Sequence, residues 1–188
     1  MQFLSSLQLT VAYWALERAV RALYHLLPGN AAADTVRREL QICTWRGRAQ
    51  GFECDWNHPE NWEDGQVPSA KSLVVIPRLH HDYYPNINQP VEPVCALVIE
   101  QEAELLLSMF GELMVNGRGH RLGGIRNMGA LNNFGELYVI NAADTCILNT
   151  GTILNHGFLS LDRNGCDGLL TDENSFVNEG ELIHLRTE

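Results

Sequence analysis

The residues with the chemistry to act on a ligand are few and scattered. Asp162-Arg163-Asn164-Gly165-Cys166-Asp167 sets oxygen-bearing side chains around a glycine, a loop able to wrap calcium, but it lacks the ligand spacing and terminal glutamate of an EF-hand. His80-His81-Asp82 offers imidazoles to a transition metal, yet no cysteine or second histidine pair stands at ligand spacing, and Tyr83-Tyr84-Pro85 beside it reads as a surface loop. Asp144, Asp162, Asp167, Asp172 and Glu173 are the carboxylates a polysaccharide-cleaving enzyme would use as acid and base; each reads as a solvated residue in a turn or at a repeat edge. There is no Gly-x-Ser-x-Gly elbow, phosphate-binding loop, His-Glu-x-x-His or Cys-x-x-Cys. These absences argue against an enzyme, and no cofactor or resident metal is expected.

Trp45, Trp56 and Trp62 have faces that can stack on a pyranose ring, but they also suit the sealing of an exposed apolar end. Five cysteines are an odd number, so at least one is unpaired or pairs with another chain. Cys43 and Cys54 flank a glycine-bearing loop and are close enough in sequence for a disulfide; the alternative is five reduced thiols.

The bulk composition narrows the partners. The 188 residues carry a net charge of -10, from 13 Lys and Arg against 23 Asp and Glu, which opposes nucleic-acid binding by the C-terminal half. The most apolar stretch is broken by Glu17 and Arg18, so no transmembrane span of roughly 20 residues is expected. Met1-Gln2-Phe3 lacks the basic start of a secretory signal, although Ala31-Ala32-Ala33 has the small residues of a cleavage site; an upstream signal already removed is the other reading.

Three segments must position whatever these residues do. Residues 1–41 form an N-terminal helical extension: Leu9, Tyr13, Leu16, Val20, Leu23 and Leu27 recur at helical spacing, and Pro28-Gly29-Asn30 stops the helix. Leu4, Leu7, Val11 and Trp14 lie on a second side, so this helix is apolar on more than one face and needs cover from its own protein or a neighbour. Residues 42–93 are a Trp-rich entry or cap region containing a strand, Ser72 to Ile76, that ends at Pro77.

Residues 94–188 carry an internal repeat. Gly-x-Leu recurs at Gly111, Gly135, Gly157 and Gly180, in steps of 24, 22 and 23 residues. A second copy of the phrase lies six residues earlier in two of these repeats, as Asn127-Met128-Gly129 before Asn133-Phe134-Gly135 and Asn149-Thr150-Gly151 before Asn155-His156-Gly157. At least two strands and two turns per repeat follow, stacked so that each repeat buries its face on its neighbours. Leu113, Leu137, Leu159 and Leu182 then line one interior column and Val115, Val139 and Leu161 the next, while Asn133, Asn155 and Asn178 stack as an amide ladder. The glycine after each asparagine serves a corner that needs positive φ or close backbone approach. The fold class expected is mainly β: a short right-handed β-solenoid, or parallel β-helix, with an N-terminal α-helical extension.

The order Thr44-Trp45-x-Gly47, Asp55-Trp56, Asn61-Trp62-x-x-Gly65-x-x-Pro68, then Leu73-Val74-Val75-Ile76-Pro77 and Tyr84-Pro85, resembles the entry region of secreted β-solenoid surface proteins of Bacteroidota type. The resemblance covers about residues 43–116 and implies an extracellular or cell-surface location.

The function expected is a structural subunit of an extracellular filament or surface layer. It would assemble head-to-tail with other copies through the solenoid ends and the helix anchors Leu4, Leu7, Val11 and Trp14, a heterologous contact that propagates. The alternative is a monomeric carbohydrate-binding or adhesin module with surface glycans as partners; a polysaccharide-degrading enzyme ranks below both.

Overall fold

The computed structural model describes residues 40–118, 120–162, 167–172 and 174–185. The chain divides into two units, Met1–Gln41 and Ile42–Glu188. The expected helix, with Leu4, Leu7, Val11 and Trp14, lies outside the described residues. No helix among the described residues is long and apolar enough to cross a membrane.

The second unit is a parallel β-solenoid of about five turns, built from β1 (Gln41–Thr44), β2 (Ser72–Ile76), β3 (Asn86–Ile87), β4 (Ala96–Ile99), β5 (Glu104–Leu107), β6 (Glu112–Asn116), β7 (Gly124–Asn127), β8 (Ala130–Asn133), β9 (Glu136–Ile140), β10 (Thr145–Asn149), β11 (Thr152–Asn155), β12 (Phe158–Asp162), β13 (Asp167–Thr171), β14 (Phe176–Asn178) and β15 (Glu181–Leu185). These strands form three sheets, in the orders β1-β2-β4-β7-β10-β13, β3-β5-β8-β11-β14 and β6-β9-β12-β15. Each full turn therefore contributes one strand to each sheet. That is three strands per turn, one more than the minimum set by the repeated Asn-x-Gly phrases.

Two residue patterns produce the three faces. In the second and third sheets β5, β6, β8, β9 and β11 alternate in burial, because one side faces the coil interior and the other water. Strands β2 and β4, SLVVI and ALVI, are buried at every position. A near-continuous apolar run of this kind marks a strand covered on both faces.

Register aligns like residues into columns down the interior. Leu113, Leu137, Leu159 and Leu182 are consecutive partners, as are Val115, Val139 and Leu161. On the other two sheets the columns are Val74, Leu97, Ile125, Ile147, Leu169 and Leu105, Leu131, Ile153, Phe176. Burying a side chain of this size contributes about 1.5–3 kcal/mol, and none of these columns closes without the turn above or below it.

The corner glycines satisfy the close-approach requirement. A Cβ on Gly157 would stand 2.1 Å from the carbonyl oxygen of Gly135, and one on Gly135 2.2 Å from that of Gly111. Positive φ is found elsewhere, at Gly47, Gly51, Gly65 and Gly124. The repeated glycine is thus a spacing device between turns.

Candidate functional site

Two buried amide ladders run along the coil at two of its corners. In one, Asn133 Nδ2 donates to Asn155 Oδ1 at 2.7 Å, and Asn155 Nδ2 donates to Asn178 Oδ1 at 2.6 Å. Each of these Nδ2 groups also donates to a main-chain carbonyl of the following turn, Phe158 O at 3.0 Å and Glu181 O at 3.2 Å. In the other, Asn127 Nδ2 donates to Asn149 Oδ1 at 2.7 Å and Asn149 Nδ2 to Thr171 Oγ1 at 2.8 Å. Buried amides need these partners, since an unmet buried polar group costs about 1–3 kcal/mol.

Both ladders start at the third turn. Their columns begin as Ile76 and Ile99 above Asn127, and as Ile87 and Leu107 above Asn133. The first amide of one ladder keeps the mark of this switch: Asn127 Oδ1 is buried without a hydrogen-bond partner.

The head of the coil is sealed. Trp45, Trp56 and Trp62 are 0, 1 and 2 % exposed. Trp62 makes edge-to-face contacts with both others at 4.9 Å between centroids. Trp45 Nε1 donates to Tyr83 O and Trp62 Nε1 to Trp56 O, both at 2.8 Å. Asn61 holds the loop beneath, accepting from Ala49 N and donating to Phe52 O and Asp55 O. The leading strand edges are occupied too: Thr44 O accepts from Glu63 N, Cys54 O accepts from Asn86 N, and Val94 bonds both Met114 and Asn116. These indoles are spent on one another and present no face to a sugar.

Of the two alternatives for Cys43 and Cys54, the structure has the reduced one: both are free thiols. Cys43 points inward from β1 and donates to Ser72 Oγ at 3.3 Å, while Cys54 sits half-buried in the cap loop. Burial pushes the Cys43 thiol up, more than the Ser72 hydrogen bond lowers it, and burial likewise raises Cys54 and Cys95.

The tail of the coil is different. β13, β14 and β15 are the outermost strands of their sheets, each paired on one side only among the described residues. Their inward residues Leu169, Phe176 and Leu182 are only partly buried, unlike Ile147, Ile153 and Leu159 one turn earlier. At the position where earlier turns place Val115, Val139 and Leu161, this turn places His184. Asn178 Nδ2 turns back to Gly180 O of its own turn at 3.3 Å.

The remaining candidates are dispersed. Asp144 is exposed before β10, Asp162 is half-buried at the end of β12, and Asp172 follows β13. Residues 163–166 of the calcium-type loop, and Glu173, lie outside the described residues. His81 Nδ1 accepts from Tyr83 N at 3.3 Å, and its ring lies 5.1 Å from that of Tyr83. Among the described residues, no three His, Cys, Asp or Glu side chains gather where they could hold a metal.

Two features escaped the sequence reading although a signal was present. The Asn127–Asn149–Thr171 ladder uses the second copy of the Asn-x-Gly phrase, ending on a threonine that breaks the pattern. The middle residues of the Asn133, Asn155 and Asn178 phrases form a column outside the corner, Phe134 stacked on His156 and His156 paired with Glu179. Comparison with protein families, curated proteins and solved structures finds nothing that matches this chain.

Proposed function

We propose that this chain is a structural subunit of an extracellular filament or surface layer, and that the tail of its solenoid is an assembly face. The observation that carries this reading is the difference between the two ends. At one, Trp62 packs edge-to-face on both Trp45 and Trp56 and all three are buried; at the other, among the described residues, three parallel strands are paired on one side only and the apolar core is half-covered. Unpaired strand edges template further pairing, and natural proteins cover or charge them when association is unwanted. The resemblance of residues 43–116 to secreted surface β-solenoids supports an extracellular setting. The coil is taken as right-handed, the sense of about 98 % of parallel crossovers.

In this reading residues 1–41 are a helical extension whose helix runs from Phe3 to Leu27, and Leu4, Leu7, Val11 and Trp14 on it provide a second contact. A copy that offers these anchors to the tail of the next makes a head-to-tail, heterologous contact that propagates.

The test is the mass of the purified protein by light scattering, with negative-stain imaging of the same sample. High-mass species and regular filaments support assembly. A 21.1 kDa monomer at every concentration overturns it, and glycan-array binding by that monomer would establish the adhesin alternative.

A further inference from the structure

We infer that His156 is a proton-operated clasp holding the last turn of the solenoid. Asn133-Phe134-Gly135, Asn155-His156-Gly157 and Asn178-Glu179-Gly180 repeat one corner on three successive turns, which places Phe134, His156 and Glu179 above one another. The backbone under each is fixed, with His156 N donating to Asn133 O and Glu179 N to Asn155 O, both at 2.8 Å. The imidazole lies against Phe134, 4.8 Å between centroids and 16° between planes. On its other side Nδ1 is 3.1 Å from Glu179 Oε2.

Both contacts strengthen when the ring carries its second proton. The pair with Glu179 becomes a charge-assisted hydrogen bond, and the ring above Phe134 becomes a cation over an aromatic face. Histidine is the side chain that ordinarily changes charge between about pH 5 and pH 8. Other charged groups near this corner are Glu104, bonded by Asn132 on the preceding sheet face, and Glu136 and Glu181, which flank Phe158 in register on the following one. His184 is the other histidine of these last two turns. With side chains 30 and 63 % exposed, His156 and Glu179 make a modest bond. It acts, however, on an end turn whose inward residues Leu169, Phe176 and Leu182 are only partly buried.

The consequence is local: β14 and β15 are held more firmly under mildly acidic conditions and fray as the ring loses its proton. The inference concerns the order of this turn whether or not copies associate. If the tail is the assembly face proposed above, the clasp also sets when that face is formed.

The experiment is backbone amide exchange in Phe176–Asn178 and Glu181–Leu185, at about pH 5.5 and about pH 8, corrected for intrinsic exchange. The wild-type chain should be about two- to five-fold better protected at the lower pH, the difference should vanish in His156→Gln and in Glu179→Gln, and it should persist in His184→Gln. A pH dependence that survives His156→Gln or Glu179→Gln, or that disappears with His184→Gln, overturns the clasp. Glu179→Gln changes one exposed carboxylate and tests it even if His156→Gln does not fold. Light scattering of the same samples reports association separately, so failure of assembly and failure of the clasp are distinguishable.

Discussion

Asn155 answers to two neighbours at once, accepting from Asn133 and donating to Asn178 and Glu181. Asn155→Ala leaves groups above and below it unmet, and should cost about 2–3 kcal/mol in urea unfolding. Gly157→Ala drives a methyl into the Gly135 carbonyl and should cost about 2 kcal/mol or more. Gly51→Ala, where φ is +82° and nothing stands within 4 Å, should cost about 1 kcal/mol of backbone strain alone. Equal losses for the two glycines would refute the spacing role of Gly157. Tyr138 donates to Glu136 Oε2 at 2.5 Å, and this bond first, then burial, pushes its hydroxyl from 10.0 up to about 12. The resulting stabilisation is complete below the unfolded phenol's value and lost as pH rises through about 12. An ultraviolet titration should show one late phenolate that Tyr138→Phe removes. Asn133, Asn155 and Asn178 were legible in the sequence because identical residues recurred at one interval. The unpaired Cys43 was not, because sequence separation says nothing of which way a strand points its thiol.

At the level of strands, the second and third sheets announced themselves through alternation and the Asn-x-Gly corners. In the first sheet only β2, Ser72–Ile76 ahead of Pro77, was legible. β4, Ala96–Ile99, is apolar at every position, and a short unbroken apolar run carries no period to distinguish it. The ladders add a rule of position: amides belong from the third turn on, aliphatics before it. Ile99 sits in register above Asn127, whose Oδ1 lacks a donor. Ile99→Asn supplies that donor, whereas Ile125→Asn puts an amide into a column that is apolar throughout. Both should destabilise, Ile125→Asn by at least about 1 kcal/mol more. Thermal unfolding of the pair checks this, and an Ile99→Asn as damaging as Ile125→Asn would show that the orphan oxygen is satisfied some other way.

For the molecule as a whole, the sequence conveyed a solenoid because a repeat of 22 to 24 residues has few other physical solutions. The contrast between its ends was legible only in outline: the tryptophans and the uncapped last strand could be read from the residues, but the partial exposure of Leu169, Phe176 and Leu182 depends on packing that a repeat pattern does not record. If the anchors act between copies, Leu7→Glu with Val11→Glu should leave the far-ultraviolet circular dichroism of a β-solenoid intact and reduce the scattering mass to that of one chain. Polymers unchanged by both substitutions would remove the helix from the assembly. The amide ladders have a further meaning in time. Every rung joins residues only 22 or 23 positions apart, with the nitrogen always on the earlier residue and the oxygen on the later one. A chain leaving the ribosome would make the tryptophan lid of the solenoid before its ladders, and from the third turn on each finished turn would hold out an N–H for an oxygen that arrives about two dozen residues later. Such a coil can grow in the order in which it is translated, each turn scaffolding the next, with no turn waiting on a distant part of the chain.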